Sequence, residues 1–349
     1  MRHPELFFED FPAGEIATYG DRLVERDEIV AFARAFDPQP FHVDEALAKA
    51  SMIGALAASG WHTAAINHRL NCDFFLNRSA CMGSPGLDEL RWLRPVFPGD
   101  RLSVRRETLG GRVWRSKPDR GTVHFRYDLI NQNGEVVTAH DCRVIFARRT
   151  SDAIEEEPAT GGAMPPAPGS APAVDDAASP RLDALTFFED LPIGHVVDLG
   201  AYAFTNANIR DFALAYDNQP FHIDEDAARA SHFGGIIASG WHTGAAWMAS
   251  MVRSRVERET RLRAAGETVA RLGVSPGFRN LRWLRPVRPG DTIAYRSRVT
   301  EKRASESRPG WGLMFMHNVG ENQRGERVFE FNGCVFVERR PPAAAPKSA

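Results

Sequence analysis

Asp37 and His42 lie five positions apart, with Pro38 and Pro40 between them. A carboxylate and an imidazole held in a fixed relation can bind one water, the carboxylate accepting a proton and the imidazole supplying or relaying another near neutral pH. The prolines exclude a regular helix interior and predict a stiff loop for Asp37-Pro38-Gln39-Pro40-Phe41-His42. The competing assignment is structural, with Asp37 capping a turn and His42 packing under Phe41, and an isolated copy favours it. The motif is not isolated. Asp217-Asn218-Gln219-Pro220-Phe221-His222 lies 180 positions downstream, so Asp217 and His222 repeat the pair while Asn218 replaces Pro38 and Pro220 keeps part of the stiffness.

Ser59-Gly60-Trp61-His62 follows the first motif, and Ser239-Gly240-Trp241-His242 follows the second at the same offset. Glycine at a helix start leaves backbone N–H groups open to an incoming oxygen, and the helix dipole adds positive potential there, so Gly60 and Gly240 are candidates for holding a developing oxyanion. Ordinary capping by Ser59 or Ser239 explains the same residues equally well. His62 and His242, in the first turn of an apolar helix, read as hydrogen-bonded core residues. Arg94 and Arg285 each precede a proline and read as ion pairs on a rim, with a phosphate contact as the alternative.

The elements that must position these groups repeat as well. Phe7-Phe8-Glu9-Asp10 recurs as Phe187-Phe188-Glu189-Asp190, and Leu90-Arg91-Trp92-Leu93-Arg94-Pro95-Val96 recurs as Leu281-Arg282-Trp283-Leu284-Arg285-Pro286-Val287, now 191 positions on. The second copy therefore carries an insertion of 11 residues within Val252 to Leu272. That run, rich in arginine, glutamate and alanine, predicts an extended helix with a solvated charged face. Ile29, Phe32, Ala33 and Phe36 have helical spacing, as do Ile209, Phe212, Ala213 and Tyr216, with Thr205 as a cap. Each helix is expected to end at its aspartate. A short helical piece follows in each copy, Asp44 to Ala50 and Asp224 to Ala230, then a long buried helix from Trp61 or Trp241. Val123, Phe125, Tyr127 and Leu129 alternate with polar residues and predict a strand. Asn131-Gln132-Asn133-Gly134 turns it into the next strand, and the second copy follows suit from Leu313 to Val337. A helix wrapped by a later antiparallel sheet, twice over, predicts an α+β protein with a paired arrangement of two sheets.

A chain of 349 residues with 43% hydrophobic content fits two soluble domains. The expected boundaries are 1–149 and 183–341, joined by a flexible linker over 150–182 and followed by a disordered tail over 342–349. About 30 linker residues rich in proline, alanine and glycine span roughly 30 Å as a coil. A formal net charge of −2 gives no reason to expect nucleic acid or an anionic membrane as partner. Cys72, Cys81, Cys142 and Cys334 lack CxxC or zinc-type spacing and read as reduced packing residues, so no metal is expected. The start of the chain lacks a signal-peptide pattern and no apolar stretch reaches membrane length, which points to the cytoplasm. Nucleotide-cofactor, zinc-peptidase and serine-hydrolase motifs are absent.

Taken in order, Phe-Phe-Glu-Asp, Asp-x-Gln-Pro-Phe-His-x-Asp, Ala-Ser-Gly-Trp-His-Thr and Arg-Trp-Leu-Arg-Pro-Val-x-Pro-Gly-Asp resemble the MaoC-like hydratases and dehydratases of the hot-dog fold, and the tandem resembles their double hot-dog members. The resemblance implies reversible hydration of a trans-2-enoyl-CoA to the (R)-3-hydroxyacyl-CoA, with coenzyme A as part of the substrate and no other cofactor. It implies Asp37, His42, Asp217 and His222 as catalytic residues and the Gly60 and Gly240 amides as oxyanion donors. Gln39, Gln219, Ser59, Ser239, Arg94 and Arg285 are weaker substrate-binding candidates. The family's best-known members carry asparagine where Gln39 and Gln219 stand. His68 and Met248, each eight positions beyond its glycine, differ between the copies, so the two pockets are expected to differ in shape. A hot-dog acyl-CoA thioesterase and a non-catalytic acyl-thioester binding module are the alternatives. One double hot-dog already forms the equivalent of the family's minimal dimer, and a homodimer of double hot-dogs is the next level of assembly.

Overall fold

The computed structural model describes residues 3–150 and 186–341; the expected linker beyond Thr150 and the 342–349 tail lie outside the described residues. The first unit runs β1 (Ile16–Leu23), α1 (Arg26–Phe36), α2 (Pro40–Val43), α3 (Glu45–Lys49), α4 (Gly60–Phe74), β2 (Gly86–Trp92), β3 (Arg101–Trp114), β4 (Lys117–Ile130) and β5 (Val136–Ala147). The second repeats it as β6 (Val196–Ala203), α5 (Asn206–Tyr216), α6 (Pro220–Ile223), α7 (Glu225–Ala230), α8 (Gly240–Ala264), β7 (Gly277–Trp283), β8 (Thr292–Ala304), β9 (Trp311–Glu321) and β10 (Arg327–Glu338). In β4 the alternation holds, with Val123, Phe125, Tyr127 and Leu129 all buried.

The strands form one ten-stranded antiparallel sheet in the order β1-β3-β4-β5-β2-β7-β10-β9-β8-β6, rather than two separate paired sheets. β2 and β7 would each be an open edge in an isolated unit, and their mutual pairing removes both edges. The seam needs glycine. Gly86 has φ +147°, and a Cβ there would sit 2.0 Å from the Leu281 carbonyl oxygen; Gly277 has the same φ and would meet the Leu90 oxygen at 2.1 Å. Across the seam Trp61 of α4 stacks on Phe278 of β7, with ring centroids 5.2 Å apart.

Both units bury their long helix against the sheet, but they fill the space differently. In the first, Phe11, Phe75, Phe125 and Phe146 form one cluster, and the buried Arg106 guanidinium lies over three of the four rings while pairing with Glu15 at 2.8 Å. The repeat places Leu191, Arg255, Met316 and Val337 at the four phenylalanine positions and Ser297 at that of Arg106. Four rings and a guanidinium are thus exchanged for less bulk, and a cavity of about 580 Å³ opens along the second unit's helix and sheet.

The insertion lengthens α8 to 25 residues against 15 in α4. The helix stops at Ala264, short of the expected Leu272, because Gly266 adopts φ +79°; Gly266 N–H donates to the Arg263 carbonyl and Glu267 N–H to that of Leu262, a Schellman closure. Its charges are not all solvated. Arg255 and Glu259 pair with each other, half-buried, and line the large cavity.

Candidate active site

Asp37 is the residue at which α1 ends, its N–H donating to the Ala33 carbonyl at 2.7 Å. The loop expected through His42 is in part a single helical turn: Pro40 occupies its first position, where a missing N–H costs nothing, and His42 rides on it. His42 Nδ1–H donates to the Ala57 carbonyl at 2.7 Å, which fixes the tautomer and leaves Nε2 facing Asp37 Oδ2 at 3.5 Å. Asp37 is further held by Ser59 Oγ–H, donating to Oδ2 at 2.6 Å, and by Gln39 Nε2–H, donating to Oδ1 at 2.9 Å. Both members of the pair are almost fully buried. The separation exceeds a direct hydrogen bond and suits one water touching both groups.

Ser59 caps its helix as expected and has a second role that the sequence did not disclose. It caps α4 by accepting from Trp61 N–H at 3.3 Å while donating to Asp37. Gly60 is the first helical residue, so its N–H is one of those a helix leaves without an internal acceptor, and Gly60 lines the cavity. Its lack of a side chain has a packing reason too. A Cβ would lie 2.4 Å from Trp92 Cε2, and the Trp92 indole N–H donates to the Gly60 carbonyl at 2.9 Å.

The second copy reproduces this geometry. His222 Nδ1–H donates to the Ile237 carbonyl at 2.8 Å, Nε2 faces Asp217 Oδ2 at 3.2 Å, and Ser239 and Gln219 donate to the two carboxylate oxygens at 2.6 and 2.9 Å. Gly240 sits under Trp283 as Gly60 sits under Trp92.

Each pair opens toward the other unit, so each site is composite. Asp37 and His42 open into the large cavity, with Trp247, Met248, Met251 and Arg255 of α8 opposite them. Asp217 and His222 open into a cavity of about 200 Å³ lined by His68 and Asn71 of α4 together with Tyr127 and His140. His68 closes on the second aspartate, its Nε2 lying 3.1 Å from Asp217 Oδ1, and Cys72 Sγ lies 3.5 Å from the same oxygen. The equivalent residues in the repeat are Met248 and Val252. Burial works to raise the Asp217 carboxyl, but the His68 and His222 imidazoles outweigh it and hold the group well below the ordinary carboxylate range.

The lesser candidates divide as their surroundings dictate. His62 stacks on Phe32 and His242 on Phe212, both fully buried, and burial pushes His242 down to about 3, so both are core residues. Arg94 pairs with Glu135 at 3.5 Å and Arg285 with Glu326 at 3.7 Å, exposed on the rims of the two cavities. Arg255 and Cys72 were not legible as site residues. Arg255 Nη1 reaches Gln39 Oε1 at 3.4 Å from the other unit, and only the difference between His68 and Met248 hinted that the helices face the opposite sites.

The MaoC like domain matches residues 9–127 and 190–309, more than half of the chain. The chain belongs to the MaoC-like family. A curated relative, the uncharacterized protein YdeM of Bacillus subtilis, is 30% identical over 140 residues, which is 40% of this chain and 98% of YdeM. A mesaconyl-CoA hydratase of Cereibacter sphaeroides is 38% identical over 76 residues, 22% of this chain and 21% of that protein. Rv0216 of Mycobacterium tuberculosis, described as a double hotdog fold, superposes with a TM-score of 0.68 at 17% identity, covering 95% of this chain and 98% of that one. The MaoC-like chain is accordingly a double hot-dog, two tandem units of one long helix against antiparallel strands.

Proposed function

We propose that the chain reversibly hydrates a trans-2-enoyl thioester, carried on coenzyme A, to the (R)-3-hydroxyacyl thioester, and that turnover takes place at Asp37, His42 and Gly60. The observation that carries this reading is the opening of the Asp37–His42 pair into the 580 Å³ cavity, against the closure of the Asp217–His222 pair by His68. The family membership supports the reaction class, and the partial likeness to a mesaconyl-CoA hydratase supports a coenzyme A thioester.

Asp37, already accepting from Ser59 and Gln39, keeps lone pairs for a water, and His42 Nε2 is its second anchor. The water oxygen bonds to the β-carbon as the C=C π pair moves toward the α-carbon and the thioester oxygen. The water's proton passes to the pair and a proton from the pair goes to the α-carbon, so one water is added and none of the catalytic groups is consumed. The Gly60 N–H at the start of α4 stabilises the enolate-like oxygen, aided by the helix dipole. The acyl chain runs from this point into the second unit, past Met248 and Met251 toward Met314, Met316 and Val337. Arg94 and the rim lie at the other end, with the carrier.

The test is the pair of single variants Asp37→Asn and Asp217→Asn assayed on crotonyl-CoA and on longer enoyl-CoA substrates. The first is expected to lose at least about 100-fold in kcat and the second to retain most of the activity. Full activity in Asp37→Asn overturns the assignment. Release of free thiol without hydration in the wild type overturns the hydratase reading in favour of a thioesterase.

A further inference from the structure

The face of α4 that looks toward the second aspartate carries two residues for which the hydration chemistry has no use. His68 and Cys72 are four apart, one helical turn, so both point the same way. Across the unit boundary they meet Asp217, with His68 Nε2 3.1 Å and Cys72 Sγ 3.5 Å from Oδ1, and the three donor atoms all lie within 4.8 Å of one another.

We propose that His68, Cys72 and Asp217 form a binding site for zinc or a chemically similar divalent transition ion. Four-coordinate zinc holds N, O and S ligands at about 2.0–2.3 Å, which places donor atoms roughly 3.4 Å from each other; Asp217 Oδ1 lies 3.1 and 3.5 Å from its two partners, and all three donor atoms lie within 4.8 Å of one another. The donor set is mixed in softness. A thiolate excludes calcium and magnesium, while imidazole with carboxylate and thiolate suits zinc or cobalt.

A separate feature points to a missing partner: Gln219 Oε1, on a side chain that is itself buried and lines the same cavity, has no hydrogen-bond partner among the described residues. An ion held by the triad would border the 200 Å³ cavity that Gln219 also lines, which has room for a water to complete four-coordination. The supporting shell is in place: Ser239 and His222 hold Asp217 Oδ2, and Gln219 donates to Oδ1. Binding balances as the thiol of Cys72 giving up one proton to solvent and its sulfur lone pair bonding to the ion, with no change of oxidation state.

The site is particular to one half. Met248 and Val252 stand in the repeat where His68 and Cys72 stand, and neither can ligate zinc as an imidazole or thiolate does, so the internal repeat supplies its own control. The proposal replaces the expectation of a metal-free chain for this cluster only, and it does not rest on the hydratase reading, because Asp37, His42 and Gly60 belong to the other cavity.

The experiment is titration of the full chain with cobalt(II) after chelator treatment and dialysis. One equivalent is expected to bind, giving a thiolate-to-cobalt charge-transfer band in the near ultraviolet and visible bands of tetrahedral intensity, and zinc is expected to displace it. Cys72→Ser is expected to remove the charge-transfer band, and His68→Asn to weaken binding at least about 10-fold. Cys81→Ser, in the same cavity, and Asp37→Asn are expected to leave both unchanged. Folding of each variant is checked by circular dichroism, and His68→Asn gives a second reading should Cys72→Ser unfold. Absence of a thiolate band in the wild type, or a band that survives in folded Cys72→Ser, overturns the site.

Discussion

Arg255 Nη1 lies 3.4 Å from Gln39 Oε1, and Gln39 Nε2 lies 2.9 Å from Asp37 Oδ1, so the lengthened helix of one unit is tied through a single side chain to the carboxylate of the other. The link adds a second tie to Gln39, whose amide N–H is turned to Asp37 just as that of Gln219 is turned to Asp217 without such a tie. The expectation is that Arg255 acts as a positioning residue. Arg255→Leu is expected to lower kcat for enoyl-CoA hydration by about 3- to 10-fold, the value of one modest hydrogen bond, with a smaller change in KM and no loss of fold. Arg255→Lys is expected to recover part of the rate. An unchanged kcat in Arg255→Leu would show that Gln39 holds its place unaided.

The exchange of Phe125 for Met316 and of Phe146 for Val337 between the units helps to open the cavity that Asp37 also lines. Putting the rings back closes it. In Met316→Phe combined with Val337→Phe, turnover of a ten-carbon enoyl-CoA is expected to drop by about 10-fold relative to crotonyl-CoA, whose short chain does not reach these positions. Parallel loss on both substrates, or on neither, counts against an acyl channel through the second unit.

Much of this arrangement was legible from residues alone, for a definite reason. The Asp, Gln, Pro, Phe and His of each motif act within one short segment, where spacing along the chain nearly determines spacing in space, and Thr205 caps α5 as its position predicts. The repeat also showed that both halves share one order of elements, and α1 and α5 each end at their aspartate as expected. What escaped were contacts across the seam. Asp217 meets Cys72 from 145 residues away and Gln39 meets Arg255 from 216 away, and no local periodicity encodes such pairs. The charged run after Val252 reads as a solvated face in sequence because helical spacing shows that a face exists but not what will cover it, whereas Arg255 and Glu259 are partly buried. The single sheet likewise depends on Gly86 and Gly277 approaching foreign carbonyls, whereas in sequence each is merely a glycine after a proline.

Those two glycines make a direct prediction. Gly86→Ala and Gly277→Ala each place a methyl group within 2.1 Å of a backbone oxygen, at a φ that alanine rarely adopts. Neither the carbonyl nor the strand can yield without breaking β2–β7 pairing. Each variant is expected to cost about 3 kcal/mol or more in denaturant unfolding and to make the transition less cooperative as the units separate. Gly134→Ala serves as the comparison, since a Cβ there meets nothing within 4 Å and only the positive φ is penalised.

Acid should destabilise the fold through two buried histidines, His140 and His242. Burial pushes both His140 and His242 down to about 3 from an unfolded value near 6.5. Between those values the unfolded chain binds a proton that the native chain refuses, so stability rises with pH across the window. The contribution is fully present above about pH 6.5 and is lost progressively as pH falls toward 3. Each histidine adds a slope of up to about 1.4 kcal/mol per pH unit. His242→Gln removes one titrating group while keeping a polar end near the Tyr202 hydroxyl, which lies 3.4 Å from His242 Nε2. The variant is expected to be less stable at pH 7, because the ring stacked on Phe212 is gone, yet to lose less stability than the wild type between pH 6.5 and 4. Urea midpoints measured across that range decide the matter: a slope reduced by about one proton supports a buried neutral imidazole, and parallel curves for the two proteins would show that His242 is already charged in the native state.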